Sequence, residues 1–182
     1  MKSLDSATNK SEHGSVVLIG MPGAGKSTIG VLLARELALD FVDTDLSIQV
    51  HCGATLQQVL NDRGYLGLRE IEEEVLLLTD VEGRVIATGG SAVYSDKAMQ
   101  HLKALATTIY LRVDLSTLSQ RIDNFNSRGI ARQPGQSLDS LYEERGRLYT
   151  QYADLIVDAT GSPASVVNQI LTALQANPKP AK

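Results

Sequence analysis

The chain has 182 residues, 43% of them hydrophobic and 21% charged, with a formal net charge of −4. That length suits one domain and that composition a packed core, which excludes wholesale disorder, collagen-like repeats and low complexity. The acidic balance argues against a broad nucleic-acid footprint and leaves room for a small, locally positive pocket, so the expected partner is a small molecule and the expected state a monomer. One cysteine, Cys52, cannot close an internal disulfide, and His13, His51 and His101 are too scattered for a zinc spacing. No run of about 18 apolar residues is present and the first ten residues lack an apolar segment, so no membrane association and a cytoplasmic location are expected.

Residues 1–14 and 176–182 are polar and aperiodic, and are expected to be disordered tails flanking a domain over 15–175. In chain order the pattern predicts a strand over Ser15–Gly20 and a helix striped by Ile29, Leu32, Leu33 and Leu37. A strand over Asp40–Thr44 follows, then a long helix striped by Ile71, Val75, Leu76 and Leu78, then a strand over Arg84–Thr88. Next come a helix over Asp96–Leu105, a strand over Thr107–Arg112 and a helix over Leu115–Ile122. Asp123–Ser137 has no period and reads as a lid. A helix over Leu138–Ala153, a strand over Asp154–Asp158 and a helix over Pro163–Gln175, capped by Ser162, complete the chain. Strands alternating with helices predict an α/β fold, three layers deep, around a five-stranded parallel sheet.

Gly20-Met21-Pro22-Gly23-Ala24-Gly25-Lys26-Ser27-Thr28 follows the first strand and opens a helix, which is the setting that G-x-x-x-x-G-K-[ST] requires. There the backbone N–H groups of Gly23, Ala24 and Gly25 cradle phosphate oxygens at the positive end of a helix. Lys26 reaches the β- and γ-phosphates as a mobile cation, the Ser27 hydroxyl suits Mg²⁺, and Thr28 sits nearer the α- or β-phosphate. ATP and Mg²⁺ are therefore the expected cofactors. Asp43 and Asp45 share one side of an extended chain at the end of the second strand. One can serve Mg²⁺ through water and the other a substrate hydroxyl, while Asp45 also reads as the cap of a following helix. Gly89-Gly90-Ser91 allows a ligand close to the backbone. Arg69 has Glu72 and Glu73 at helical spacing, so it reads equally as a surface ion-pair partner and as a site residue. The run Glu70, Glu72, Glu73, Glu74 reads as a solvated face, save that Glu72 can fix Arg69. Arg145 and Arg147 follow the irregular loop, with nothing to choose which points inward, and Arg128 and Arg132 within it can close over a transferring phosphoryl group.

With these motifs in this order, residues 15–175 resemble the shikimate kinase family, a nucleoside-monophosphate-kinase-like branch of the P-loop proteins. The resemblance implies transfer of the ATP γ-phosphoryl group to a hydroxyl of shikimate, giving shikimate 3-phosphate for aromatic amino acid biosynthesis. It assigns Asp43 to magnesium, Asp45 to the acceptor hydroxyls, Arg69 and Arg145 to the acceptor carboxylate, and Gly89 and Gly90 to the acceptor loop. Arg121 would pack against adenine opposite the loop Gly161–Pro163. Lys26, Asp45 and Arg128 would be catalytic, Arg128 standing where the family has the arginine of its lid. Two departures stand out: Ser91 replaces a third glycine, and Arg128-Gly129-Ile130-Ala131 replaces Arg-Pro-Leu-Leu. They keep two other readings open, a same-fold kinase acting on another hydroxylated acid or amino acid, and a nucleotide-binding regulator without transfer activity. Retention of Lys26, Ser27, Asp43 and Asp45 together counts against the second.

Overall fold

The computed structural model describes residues 14–122 and 129–177. Its elements are β1 (Val16–Ile19), α1 (Lys26–Leu37), β2 (Asp40–Asp43), α2 (Thr44–Cys52), α3 (Leu56–Leu78), β3 (Arg84–Ala87), a 3₁₀ turn (Ala92–Tyr94), α4 (Asp96–Leu105), β4 (Thr107–Arg112), α5 (Leu115–Arg121), α6 (Leu138–Tyr152), β5 (Leu155–Asp158) and α7 (Pro163–Ala176). The sheet runs β2-β3-β1-β4-β5 and every pair is parallel.

The central strand explains the layering. Val16, Val17, Leu18 and Ile19 are all fully buried, so β1 is apolar on both faces and needs helices over each. α1 packs against β1, β2, β3 and α7, while α4 and α6 lie on β4. The main core joins Leu18, Ile86 and Ile109 of the sheet to Leu33, Leu102 and Ile170 of the helices. A smaller cluster of Ile48, Val59, Leu68, Val75 and Ala131 ties α2 and α3 to the segment after Gly129. That second cluster holds one wall of the site.

The five parallel strands and the element types agree with the sequence expectation, and strand ends differ by no more than a residue. Three local features differ. The α2 cap is Asp43, whose side chain accepts from the Asp45 amide, so Asp45 lies inside the first turn instead of capping it. α3 is broken at Gly64, whose φ of 69° and ψ of 177° only glycine adopts easily. Leu78 is 74% exposed although it continues the apolar stripe, because it is the last residue of α3. Of the expected lid, residues 129–137 are irregular up to the Ser137 cap of α6, and Asp123–Arg128 lie outside the described residues, as do 1–13 and 178–182 of the two tails. Among the described residues no helix is long and apolar enough to cross a membrane.

Candidate active site

The carboxyl ends of β1, β2 and β3 open into one cavity of about 330 Å³, lined among others by Lys26, Asp45, Glu72, Gly90 and Arg145. Gly25 ends the phosphate loop with φ 89° and caps α1 without a side-chain hydrogen bond. The first turn of α1 contains no acidic residue, so its orphan N–H groups are available to an anion. Gly23, Ser27 and Thr28 line the cavity, and the Ala24 amide turns back to the Met21 carbonyl at 3.1 Å. Lys26 is not the solvent-facing cation its motif suggests. Its Nζ folds back to donate to the carbonyls of Gly20 at 2.8 Å and Met21 at 3.0 Å. Burial pulls its pKa down to about 8, against the opposing pull of Asp45.

Asp43 Oδ1 accepts from the Asp45 N–H at 3.0 Å, and Asp45 lines the cavity. Between them the buried Thr44 Oγ1 accepts from the Gly89 amide at 3.1 Å, tying the end of β2 to the end of β3. Gly89 is glycine for lack of space: a Cβ there would collide with Glu72 Oε1 and lie 2.7 Å from Asp45 Oδ1. A Cβ on Gly90 would sit 2.8 Å from an Arg145 nitrogen and 2.9 Å from Pro22. The Gly90 carbonyl accepts from the buried Tyr149 hydroxyl at 2.6 Å, which fixes the loop from behind.

Glu72 corrects the reading of the glutamate run as a solvated face. It is 2% exposed, its Oε2 accepts from the Ser91 hydroxyl, and its Oε1 is buried without a hydrogen-bond partner among the described residues. Burial pushes its pKa up to about 7; the Ser91 bond opposes this and the charge of Asp45 adds to it. Glu72 thus faces Ser91, Asp45, Arg145 and Lys26, whereas the sequence pairs it with Arg69. Ser91, the departure from three glycines, is the hydroxyl that holds it.

Of the two arginines on α6, Arg145 is buried at 1% exposure and Arg147 is exposed. Arg145 and Arg69 converge on one atom: each donates through Nη2 to the Ala131 carbonyl, at 2.7 Å and 3.3 Å. The Nε–H groups of both are buried without a hydrogen-bond partner among the described residues. Arg69 is therefore an inward-facing residue and not a surface ion-pair partner. Arg121 donates to the carbonyls of Ala159 and Thr160 at 3.3 and 3.0 Å, joining α5 to the turn before Gly161. Arg132 donates to the Gln136 carbonyl at 2.7 Å within its own loop, and Arg128 lies outside the described residues.

The shikimate kinase family model matches residues 22–175. The chain belongs to the shikimate kinase family. It is 39% identical over 168 residues to the shikimate kinase of Pseudomonas paraeruginosa, covering 90% of this chain and 98% of that protein. To the Aquifex aeolicus shikimate kinase it is 32% identical over 163 residues, covering 89% and 96%. The fold matches a solved shikimate kinase from Acinetobacter baumannii in complex with shikimate, with a TM-score of 0.84 and 29% identity over 93% of this chain and 97% of that one. As a shikimate kinase family member the chain is a phosphotransferase that acts on a hydroxyl of shikimate, so the readings of it as a regulator or as a kinase for another acid fall away. Two neighbours of the arginine pair had no signal in the sequence: the Ala131 carbonyl is a backbone atom, and Tyr94 lies beyond the glycine loop in a 3₁₀ turn too short to show a period.

Proposed function

We propose that the chain transfers the γ-phosphoryl group of ATP to a shikimate hydroxyl, with the residues of this cavity in defined roles. The phosphate loop and the first turn of α1 hold the β- and γ-phosphates, and Lys26 turns from the Gly20 and Met21 carbonyls to the γ-phosphate as the nucleotide enters. Ser27 and Asp43 are hard oxygen donors that fit Mg²⁺, which prefers oxygen ligands and keeps several waters. When bound, Mg²⁺ would neutralise charge on the phosphate oxygens. Asp45 accepts the acceptor hydroxyl's proton as the oxygen attacks, and Gly90 offers its N–H beside it. Arg121 forms one side of the base site, with the Ala159–Thr160 turn as its anchor.

The observation that carries the acidic acceptor is the convergence of two guanidinium groups on a single oxygen, with both Nε–H donors left over among the described residues. Buried donors of this kind call for an anion, and a carboxylate matches the planar fork. The test replaces Arg69 or Arg145 with Lys. The shikimate KM is expected to rise at least tenfold, with the dissociation constant of ATP within twofold, because Lys cannot reproduce the fork. The carboxamide of shikimate is expected to be a poor acceptor for the unaltered enzyme. Equal use of acid and amide contradicts the assignment.

A further inference from the structure

Arg69 is also held by a residue to which the reading above gives no role. The Tyr94 ring lies beneath its guanidinium, 3.4 Å from Cζ to the ring centroid, and also 5.4 Å from Cζ of Arg145. Tyr65 lies farther from Arg69, at 5.2 Å. The Tyr94 hydroxyl donates to Glu144 Oε1 at 2.7 Å, and the other oxygen of Glu144 accepts from Gln136 Nε2 at 2.5 Å. Gln136 closes the turn Gln133–Gln136, whose backbone bond is 3.1 Å, just before α6. One chain of contacts therefore runs from the irregular loop through Glu144 and Tyr94 to Arg69. Two like-charged guanidinium groups that meet at one carbonyl repel each other, and an aromatic ring within reach of both attracts each. The negative charge of Glu144, at the far end of the same ring, adds to this. Burial pushes the Glu144 carboxyl upward, but the bonds from Tyr94 and Gln136 and the charges of Arg69 and Arg145 outweigh it and keep it ionised.

We infer that Tyr94 is a positioning residue for the carboxylate clamp: its ring sets the plane of Arg69, and its bond to Glu144 ties that plane to the Gln136 turn. The inference rests on the reading that Arg69 and Arg145 receive the acceptor carboxylate. A planar donor fork gains from a fixed plane because the side-chain entropy is lost before the ligand arrives. Binding of the carboxylate, and not transfer of the phosphoryl group, is then the step that depends on Tyr94.

The experiment measures steady-state constants for shikimate and ATP in Tyr94→Leu and Tyr94→Phe, with Arg69→Lys alongside. Tyr94→Leu is expected to raise the shikimate KM at least tenfold, with kcat within threefold and the ATP KM within twofold. Tyr94→Phe, which keeps the platform, is expected to restore the shikimate KM to within threefold of the unaltered enzyme. Should Arg69→Lys raise the shikimate KM while Tyr94→Leu leaves it within twofold, the clamp stands and the inference about Tyr94 is overturned. Should Arg69→Lys leave it unchanged, the clamp itself is wrong and the inference goes with it. If Tyr94→Leu does not fold, the decision passes to a double-mutant cycle of Tyr94→Phe and Glu144→Ala, both of which keep the ring. Each single change and the pair are expected to raise the shikimate KM by a similar factor. Independent, multiplying effects refute the tie through Glu144.

Discussion

Replacing Glu72 with Gln is expected to stabilise the protein at neutral and alkaline pH while impairing its activity. The carboxyl is buried, and burial raises its pKa from 4.5 to about 7. Above pH 4.5 the unfolded chain releases this proton, whereas the folded chain retains it until about pH 7. Folding therefore takes up a proton across that window, and stability falls as pH rises through it. At about 1.4 kcal/mol for each pKa unit, the full penalty above pH 7 is on the order of 3 kcal/mol. Gln has the same shape, accepts the Ser91 hydroxyl through its amide oxygen, presents N–H donors to Asp45 and carries no ionisable proton. Urea denaturation of both proteins from pH 4.5 to 8.5 is expected to show curves that nearly coincide at the acid end. They then diverge toward about 3 kcal/mol in favour of Gln at pH 8.5. A pH-independent difference, or a less stable Gln variant at pH 8.5, refutes the reasoning. Either result means that Lys26 and Arg145 compensate the ionised carboxylate fully.

Lys26→Met is expected to lower turnover at least 100-fold yet change folding stability by less than about 2 kcal/mol. Relief of a buried charge offsets the two lost hydrogen bonds, and a turnover assay with parallel denaturation checks both. In the unaltered protein, ATP affinity by titration calorimetry is expected to fall as pH rises through about 8, where the free-enzyme lysine loses its proton; equal affinity at pH 7 and pH 9.5 contradicts this. Asp43→Asn keeps the α2 cap and is expected to raise the Mg²⁺ concentration for half-maximal activity several-fold with little change in the shikimate KM. Asp45→Asn is expected to do the reverse, and an exchanged pattern means the two roles are swapped.

The sheet and the phosphate loop were legible because their signals are local. β1 is an unbroken apolar run ending in Gly20, and Lys26 follows at the fixed spacing of its motif. The acidic pair was legible as a pair, but which of the two caps α2 depended on one residue of helix start, finer than an apolar pattern resolves. Glu72 was hidden by its neighbours: a run of four glutamates looks solvated, although helical spacing puts Glu72 on the side of Leu68, Val75 and Leu76 and leaves Glu70 and Glu74 outside. Reading the run by its 3.6-residue period instead of its charge would have found it. The meeting of Arg69 and Arg145 at Ala131 was out of reach, since a partner 62 positions away through a backbone oxygen leaves no trace in residue type.

The sheet order has a consequence for how this protein can change over evolutionary time. β1 separates β2 and β3 from β4 and β5. Asp43, Asp45, Arg69, Glu72, Gly89, Gly90, Ser91 and Tyr94 all belong to the β2–β3 side and to one continuous stretch of chain, whereas Arg121 and its anchor at Ala159 and Thr160 belong to the other side. Under the proposed roles, the acceptor groups and Asp43 thus lie in one block and the base site in another, joined at the phosphate loop. Exchanging residues 40–95 between relatives would move acceptor preference with hardly a change to the nucleotide half. Glu144, Arg145 and Tyr149, arriving from α6, cross the divide, and a chimera has to keep them matched to the block they serve.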